Sequence, residues 1–229
     1  MTEFSNFSIQ DRPAVGLQIY QFLKQSIISC EIEPGRAISE KEMAAAMNVS
    51  RQPVREAFIQ LAKCGLVHVY PQRGTYVKQI SIKTVLDGQL IRSSIECAIV
   101  ERLARTITPT QIQELYYLIE LQRHAIDGCN YRLFLEHDDA FHRQLSVADD
   151  CLLAWQTIET VKPVMDRIRY LDLQRDSSML QVLEEHRNIV AALEQHDGQQ
   201  ALTLLHQHLN GFPYVIDAIR TRYADWFAD

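Results

Sequence analysis

Apolar and polar residues alternate along the chain with two different periods. Over residues 14–64 apolar side chains recur every three or four positions in three successive segments, which predicts amphipathic helices. Over residues 66–78 two short runs rich in Val, Thr and Tyr flank the turn sequence Pro-Gln-Arg-Gly, which predicts a β-hairpin. From residue 81 onward the helical spacing returns and no strand pattern follows. The chain is therefore predicted to be mostly α-helical, with one small β element.

Residues at the predicted helix ends indicate a helix-turn-helix. Ser39, followed three residues later by a glutamate, has the spacing of a capping box at the start of the second helix. Ser50 is the predicted N-cap of the third helix, with a hydroxyl that accepts a hydrogen bond from the first turn. Gly65 is expected to end that helix. With the hairpin, this order predicts a winged helix-turn-helix domain at residues 14–80, preceded by a flexible arm at residues 1–13.

The rest of the chain, residues 81–229, is predicted to form an all-α helical bundle of six or seven helices. The sequence Thr108-Pro109-Thr110-Gln111 places a cap, a proline and a glutamine where a helix start requires them. The predicted helices span residues 83–106, 109–127, 131–148, 151–173, 178–195 and 198–222.

The distribution of charge separates the two regions more clearly than the net charge of −6 does. Residues 1–80 hold 9 Lys+Arg and 7 Asp+Glu, whereas residues 81–229 hold 14 and 22. A local basic surface at the N-terminal end can bind phosphates while the remainder stays acidic. The five cysteines are scattered, the N-terminus lacks a secretory signal and no apolar run is long enough for a membrane span. We therefore expect a cytoplasmic protein with reduced thiols and no membrane contact.

The start of the third predicted helix carries the first candidate chemistry. Arg51 and Arg55 are four residues apart and share one helix face, with Gln52 beside them. In a major groove, arginine grips guanine bidentately, glutamine grips adenine, and either can hold phosphate. The alternative is a winged helix that makes only protein contacts, in which case the two arginines form a solvated charged face.

This region resembles the DNA-binding domain of the GntR family of bacterial repressors. The resemblance covers residues 15–78 and is carried by Glu33-Pro34-Gly35-Arg36, Ser39-Glu40-Lys41-Glu42-Met43-Ala44, Val49 to Ala57, Gly65-Leu66-Val67 and Arg73-Gly74-Thr75-Tyr76-Val77. Lys41 stands where many members have arginine, and Gln52 stands where threonine is frequent. The resemblance implies that the DNA-contacting residues are Lys41, Ser50, Arg51, Gln52, Arg55, Arg73 and Gly74.

Polar residues within the apolar stripes of three later helices carry the second candidate chemistry. At 100° per residue, Asp138 and His142 fall inside the stripe of segment 131–148, His186 lies at the centre of the next, and His208 lies about 50° from the middle of the last. Such residues are costly to bury unless something satisfies them. A divalent metal (Zn, Ni, Mn or Fe) would satisfy all four. The alternative is a set of separate core histidines, each hydrogen-bonded to a carboxylate or carbonyl.

Residues 84–222 resemble the FCD domain, the helical ligand-binding domain of the FadR subfamily of GntR regulators. Its Asp-x-x-Phe-His motif matches Asp138 to His142, its Glu-His matches Glu185-His186, and its His-Leu matches His208-Leu209. The resemblance implies that Asp138, His142, His186 and His208 hold the metal, and that the effector is a small carboxylate, an organic or sugar acid, docking there.

The resemblance also implies an arginine in the effector pocket. Arg92, four residues before Glu96, fits the Arg-x-x-x-Glu pattern of effector-binding members. The alternative is an i,i+4 salt bridge on a wet surface. Arg102, Arg167 or Arg169 could serve instead, and the sequence does not choose among them.

These features predict a ligand-responsive transcription regulator that is not an enzyme. Two chains are expected to pair as a homodimer and to place two recognition helices on a palindromic double-stranded DNA operator. Repression of transcription is expected rather than activation. The alternatives are a metal-dependent enzyme fused to a DNA-binding domain, and a pure metal sensor. No general base beyond Asp138 supports the enzyme.

Overall fold

The computed structural model describes residues 13–174, 178–211 and 213–228. They divide into two compact units: the described residues up to Thr84 together with residues 223–228, and Val85–Arg222. The predicted arm at residues 1–13 lies, apart from Pro13, outside the described residues. Among the helices that are described, none is both long enough and apolar enough to cross a membrane.

The first unit is a winged helix-turn-helix, as predicted. Its elements are α1 (Val15–Ile28), β1 (Ala37–Ile38), α2 (Glu40–Ala46), α3 (Arg51–Lys63), β2 (Val67–Tyr70) and β3 (Gly74–Val77). The three strands form an antiparallel sheet in the order β1-β3-β2, so the β2–β3 hairpin is the wing. Ile19, Leu23, Val54, Phe58 and Leu61 meet in the core, because each recurs at helical spacing on the inner face of α1 or α3.

The sequence predicted the cap at the C-terminal end of α3 correctly, but not the capping hydrogen bond at its N-terminal end. Gly65 has φ +76°, and the N–H groups of Gly65 and Leu66 bond to the carbonyls of Ala62 and Leu61, so the predicted glycine cap is confirmed. Ser50 occupies the N-cap position, but its side chain makes no capping hydrogen bond, so this part of the prediction is wrong. A serine cap bonds to the second or third N–H of the helix, and Pro53 removes the third.

The second unit is an all-α bundle, as predicted. Its helices are α4 (Ile82–Leu103, which begins just before the unit boundary), α5 (Pro109–Asp127), α6 (Tyr131–Ala148), α7 (Leu152–Leu173), α8 (Ser178–Glu194), α9 (Gly198–Asn210) and α10 (Pro213–Arg222). Val100, Leu115, Phe141, Val190 and Leu205, from five of these helices, are fully buried in one apolar core. The Thr108 capping box at the start of α5 is present with both of its hydrogen bonds.

The C-terminal part of the chain departs from the expectation in two places. The predicted helix at 198–222 is two helices, because a proline interrupts the backbone hydrogen bonding and α10 begins at Pro213. Residues 223–228 lie with the first unit, whereas the sequence predicts that all of 81–229 belongs to the helical domain. The backbone of Ile80 bonds to Trp226 and Ala228, and this pairing explains the difference. So short a segment carries no periodic signal.

Candidate functional site

The seven predicted DNA-contacting residues are all exposed in the first unit: Lys41, Ser50, Arg51, Gln52, Arg55, Arg73 and Gly74. The side chains of Arg51 and Arg55 are 60% and 52% exposed. The turn that presents them is tight, since Asn48 has φ +52° and the Val49 N–H bonds to the Ala44 carbonyl. The first turn of α3 therefore offers two arginines to a ligand outside the domain.

Both arginines contact one carboxylate that the sequence analysis did not single out. Arg55 donates from Nε to Oε1 of Glu40 at 3.2 Å and from Nη2 to Oε2 at 3.1 Å, and Arg51 donates from Nη2 to the same Oε2 at 3.3 Å. The hydrogen bonds that Arg55 donates to Glu40 lower the pKa of the Glu40 carboxyl from its ordinary value and raise the pKa of the Arg55 guanidinium. Glu40 is the first residue of α2, eleven and fifteen positions away, so helical spacing could not reveal the contact.

The wing tip is the second exposed part of this face. Gln72 has φ +63° and Gly74 has φ +101°, and the Arg73 N–H bonds to the Tyr70 carbonyl at 3.1 Å. These backbone angles favour glycine and make the reversal tight. The turn thereby holds Arg73 at the tip, with its side chain in solvent.

Four predicted metal ligands converge in the second unit. Asp138 and His142 extend from α6, His186 from α8 and His208 from α9, and one ligand atom of each lies within 4.8 Å of the others. Nε2 of His208 lies 3.3 Å from Nε2 of His186 and 3.3 Å from Nε2 of His142. Oδ1 of Asp138 lies 3.7 Å from Nε2 of His186, and Oδ2 lies 3.8 Å from Nε2 of His142.

The other ring nitrogen of each histidine is bound by an outer residue. Nδ1 of His142 donates to Oε2 of Glu96 at 2.6 Å, and Nδ1 of His208 donates to Oε2 of Glu185 at 2.7 Å, because a carboxylate can only accept.

Nδ1 of His186 lies 2.9 Å from the amide oxygen of Gln122, whose nitrogen donates to the His137 carbonyl. The amide oxygen can only accept, so Nδ1 of His186 carries the proton. Nε2 of all three histidines is thereby directed at the common centre.

Burial keeps two of these histidines neutral. The imidazoles of His142 and His186 have no solvent exposure, and burial is the largest cause that lowers the pKa of each. Of the two, His186 has its pKa lowered well below the ordinary value. A neutral imidazole whose Nδ1 carries the proton presents a lone pair on Nε2, which is the form that binds a metal.

Asp138 is ionised although it is buried. Burial alone would raise its pKa, but the Arg169 guanidinium holds it well below the usual range. Arg169 donates from Nη2 to Asp138 and from Nη1 to Asp166 at 2.8 Å and Asp139 at 3.2 Å. Asp138 therefore presents a charged oxygen to the histidine cluster while the other oxygen faces a cation.

Arg92 and Glu96 form an i,i+4 salt bridge, with 2.7 Å between Nε of Arg92 and Oε1 of Glu96. The alternative of a pair on a wet surface is wrong, since Arg92 is 3% exposed and Glu96 1%. Burial alone would raise the pKa of Glu96, but Arg92 and then His142 lower it below its usual range. Within the described part of the chain, Nη2 of Arg92 is buried and has no hydrogen-bond partner. An orphaned guanidinium donor of this kind is costly and suits an anion.

A cavity of about 270 Å³ opens beside the cluster. Its lining includes Gln89, Arg92, Asp138, Arg169, Glu185 and His208. Of the other candidate arginines, Arg102 is exposed and pairs with the largely buried side chain of Asp149, and Arg167 is buried outside the lining. The structure thus brings Arg92 and Arg169 to the cavity and leaves the other two elsewhere.

The donor set fits a divalent metal. Three imidazole nitrogens and one carboxylate oxygen suit Zn, Ni, Mn or Fe. A tetrahedral ion about 2.1 Å from each nitrogen would space the nitrogens about 3.4 Å apart, close to the 3.3 Å observed. The outer residues fix each histidine in the tautomer that such an ion requires.

Comparisons with known proteins give the family. Residues 16–77 match the family "Bacterial regulatory proteins, gntR family", and residues 89–211 match the FCD domain. The HTH-type transcriptional repressor RspR of Escherichia coli K12 is 43% identical over 215 residues, 94% of each chain. A probable D-xylose utilization operon transcriptional repressor of Paenarthrobacter nicotinovorans is 29% identical over 204 residues, 88% of each.

A solved structure agrees with the fold. The structure of E. coli McbR/YncC covers 93% of this chain and 100% of its own, with a TM-score of 0.76 and 19% identity. At that identity the likeness concerns the fold alone. The sequence matches carry the family assignment: the chain belongs to the GntR family of bacterial transcriptional regulators, as a member with an FCD domain.

Proposed function

We propose that this regulator represses transcription from a palindromic operator as a homodimer, and that a small carboxylate bound at a metal in the FCD domain controls it. It acts in the cytoplasm, where its operator DNA lies. Two relatives are named as repressors, which supports repression rather than activation. The metal, the carboxylate and the operator contacts are each argued from a different set of residues.

One observation carries the metal assignment: three histidine Nε2 atoms meet while their Nδ1 protons are bound elsewhere. In a hydrogen-bonded core without metal, a proton on Nε2 of His208 would satisfy one of its two 3.3 Å contacts. The single N–H cannot point to both neighbours, so the other contact would have no proton between its two nitrogens. A divalent ion satisfies all the nitrogens and the ionised Asp138 together, so the metal accounts for more of the geometry.

The cavity and Arg92 support a carboxylate as the effector. A bound divalent ion supplies a positive centre that attracts a carboxylate oxygen. Arg92 extends a buried Nη2 donor that has no hydrogen-bond partner among the residues described, and it lines the same cavity as the proposed metal ligand His208. We infer that Arg92 donates to a second oxygen of the acid. Two carboxylates also line the cavity, but Glu185 accepts from His208 and Asp138 is the proposed metal ligand, so neither offers a donor to the acid.

The cavity also bears on the two alternatives. A pure metal sensor requires the four ligands but gives no role to a space of about 270 Å³ or to the orphaned donor of Arg92. An enzyme would require a general base near the metal. The carboxylates there are occupied: Asp138 and Glu96 bind arginines, and Glu185 accepts from His208. An organic ligand that binds without reacting fits these residues best.

On the DNA side, the exposed arginines of α3 are proposed to read base edges, and Arg73 to contact the backbone or minor groove at the wing tip. Lys41 and Ser50 lie at the entrances of α2 and α3, where side chains of this kind hold phosphate. Gln52 is proposed to read adenine beside the arginines. A homodimer would present two such faces to the two halves of a palindrome.

Metal analysis combined with ligand screening tests the proposal. Tag-free protein is analysed by elemental mass spectrometry, and its melting temperature is measured with a panel of organic and sugar acids, before and after chelation. About one metal per chain is expected, and one class of acid should raise the melting temperature only when metal is present. A protein without metal, with melting unaffected by chelator, would contradict the sensor assignment while leaving the DNA-binding assignment intact.

A further inference from the structure

We propose that Glu40 is a positioning residue for DNA recognition, which orients Arg55 and Arg51 and raises the specificity of the domain for its operator. The inference rests on the proposed reading role of the two arginines and deepens it. It assigns a role to an acidic side chain on a surface that must approach a polyanion, where a carboxylate would otherwise only oppose binding.

The contact with Arg55 fixes the direction of its guanidinium. Nε and Nη2 form one edge of that planar group, and both donate to the carboxylate of Glu40, at 3.2 and 3.1 Å. The remaining N–H bonds, on Nη1 and the outer side of Nη2, project beyond the end of the side chain. This outer edge can still bind two acceptors, as guanine recognition requires. Glu40 thus occupies the edge of Arg55 that is not needed for a base.

The position of Glu40 on α2 makes it a firm support. Glu40 is the first residue of that helix, where the backbone dipole favours negative charge, and Ser39 caps the same turn through the Glu42 N–H. Its side chain is 25% exposed, about half the exposure of the arginine side chains that it holds. Because α2 and α3 pack in one core, the carboxylate links the two helices of the motif at the reading end.

The same carboxylate discriminates against phosphate. A free arginine binds any backbone phosphate and thereby supports non-specific affinity. Arg55 can give its inner edge to a phosphate only by leaving Glu40, whereas guanine binding at the outer edge leaves that contact intact. Glu40 also repels phosphates near α2. The carboxylate therefore lowers the affinity for non-specific DNA and preserves the base contact in the operator. The specificity ratio, which is the affinity for the operator divided by that for unrelated DNA, rises as a result.

The test compares Glu40→Gln with Glu42→Gln. Both glutamates lie in the first turn of α2, and each substitution removes one negative charge, but among the described contacts only Glu40 binds the arginines. An operator is selected in vitro from random duplexes, and dissociation constants for it and for an unrelated duplex are measured by fluorescence anisotropy at one salt concentration.

We expect Glu40→Gln to lower the specificity ratio by about tenfold, the scale of one well-placed base contact. Glu42→Gln should tighten binding to both duplexes equally and keep the ratio. Equal ratios in the two variants would overturn the proposal.

Two further variants complete the design. Glu40→Asp keeps the charge but shortens the side chain, so a positioning role predicts a lower specificity ratio than in the wild type. A specificity ratio equal to that of the wild type would overturn the proposal. Arg55→Ala tests the proposed reading role itself. Unchanged operator binding in Arg55→Ala would remove the basis of the proposal. If Arg55→Ala loses operator binding but Glu40→Gln and Glu42→Gln have the same specificity ratio, only the role of Glu40 is rejected. Circular dichroism confirms that each variant is folded.

Discussion

Nδ1 of His142 lies 2.6 Å from Oε2 of Glu96, and both side chains are buried. The other oxygen of the same carboxylate accepts from Arg92 at 2.7 Å. Glu96 therefore joins a metal-ligand candidate to the cavity arginine: it fixes the His142 tautomer on one side and the Arg92 side chain on the other. A change at Glu96 should affect the metal site although Glu96 touches no metal.

Glu96→Gln is expected to weaken metal affinity by roughly 10- to 100-fold, the usual cost of losing such an outer partner. The amide can still accept from one neighbour, but its NH2 group faces a donor on the other side. Competition with a chromogenic chelator measures the affinity. Glu101→Gln is the matched control, since Glu101 lies on the same helix and pairs only with exposed Arg105 among the described residues. Equal affinities in the two variants would contradict a role for Glu96.

The sequence predicted the four candidate ligands that converge at this site, but not the outer contacts that Glu96 and Gln122 make with them. Asp138 and His142 share a helix face by spacing alone, and His186 lies at the centre of an apolar stripe, so their inward direction follows from helical geometry. Glu96 and Gln122 are also inward, yet their contacts depend on how α4 and α5 pack against the ligand helices. Packing of that kind has no periodic signature in a single chain.

The fold was also predictable as far as it depends on local periodicity, and not where it depends on contacts between distant segments. Helical and alternating periods are local, so the winged domain and the bundle both follow from them. The Glu40 contact joins residues that are eleven and fifteen positions apart on two different helices. The pairing of Ile80 with the chain near Phe227 spans most of the sequence. Only the tertiary structure brings such residues together.

The stability of the metal-free protein is expected to fall as the pH decreases below about 7. His142 and His186 have native pKa values below the ordinary 6.5, so they stay neutral while the unfolded chain takes up protons. Stability therefore decreases as pH falls through 6.5 toward the native pKa, by up to roughly 1.4 kcal/mol per pH unit for each histidine. Urea denaturation between pH 7.5 and 5 measures how the free energy of unfolding changes with pH. In the folded protein, the carboxyls of Glu96 and Asp138 titrate below this pH range.

His186→Asn isolates this contribution. The asparagine nitrogen can still donate toward Gln122, but the side chain does not titrate, so the slope should be smaller than in the wild type. His206→Asn is the control, because His206 lies on α9 and is exposed, and it should keep the wild-type slope. A His186→Asn variant with the full slope would contradict the assignment of the pH effect to the buried cluster.

Arg92→Lys is expected to retain the metal and lose most of the response to the acid. Lysine keeps a positive charge near Glu96 but lacks the planar donors that bind a carboxylate at two points. The thermal shift produced by the best acid of the panel should therefore shrink, while metal content stays near that of the wild type. Arg102→Lys is the matched control, because Arg102 lies on the same helix but is exposed and pairs with Asp149. A full thermal shift in Arg92→Lys would move the anion contact to Arg169.

Arg55→Ala is expected to reduce operator affinity far more than affinity for unrelated DNA. One bidentate base contact is worth about 1–3 kcal/mol per half-site, and a homodimer loses two of them. Lys63→Ala is the control, since it removes one exposed positive charge from the other end of the same helix and should weaken both duplexes alike. Anisotropy titrations at several salt concentrations separate the two effects, because a lost phosphate contact lowers the salt dependence. If both variants weaken the operator and the unrelated duplex in the same proportion, Arg55 contacts the backbone and the base reading must come from Arg51 or Gln52.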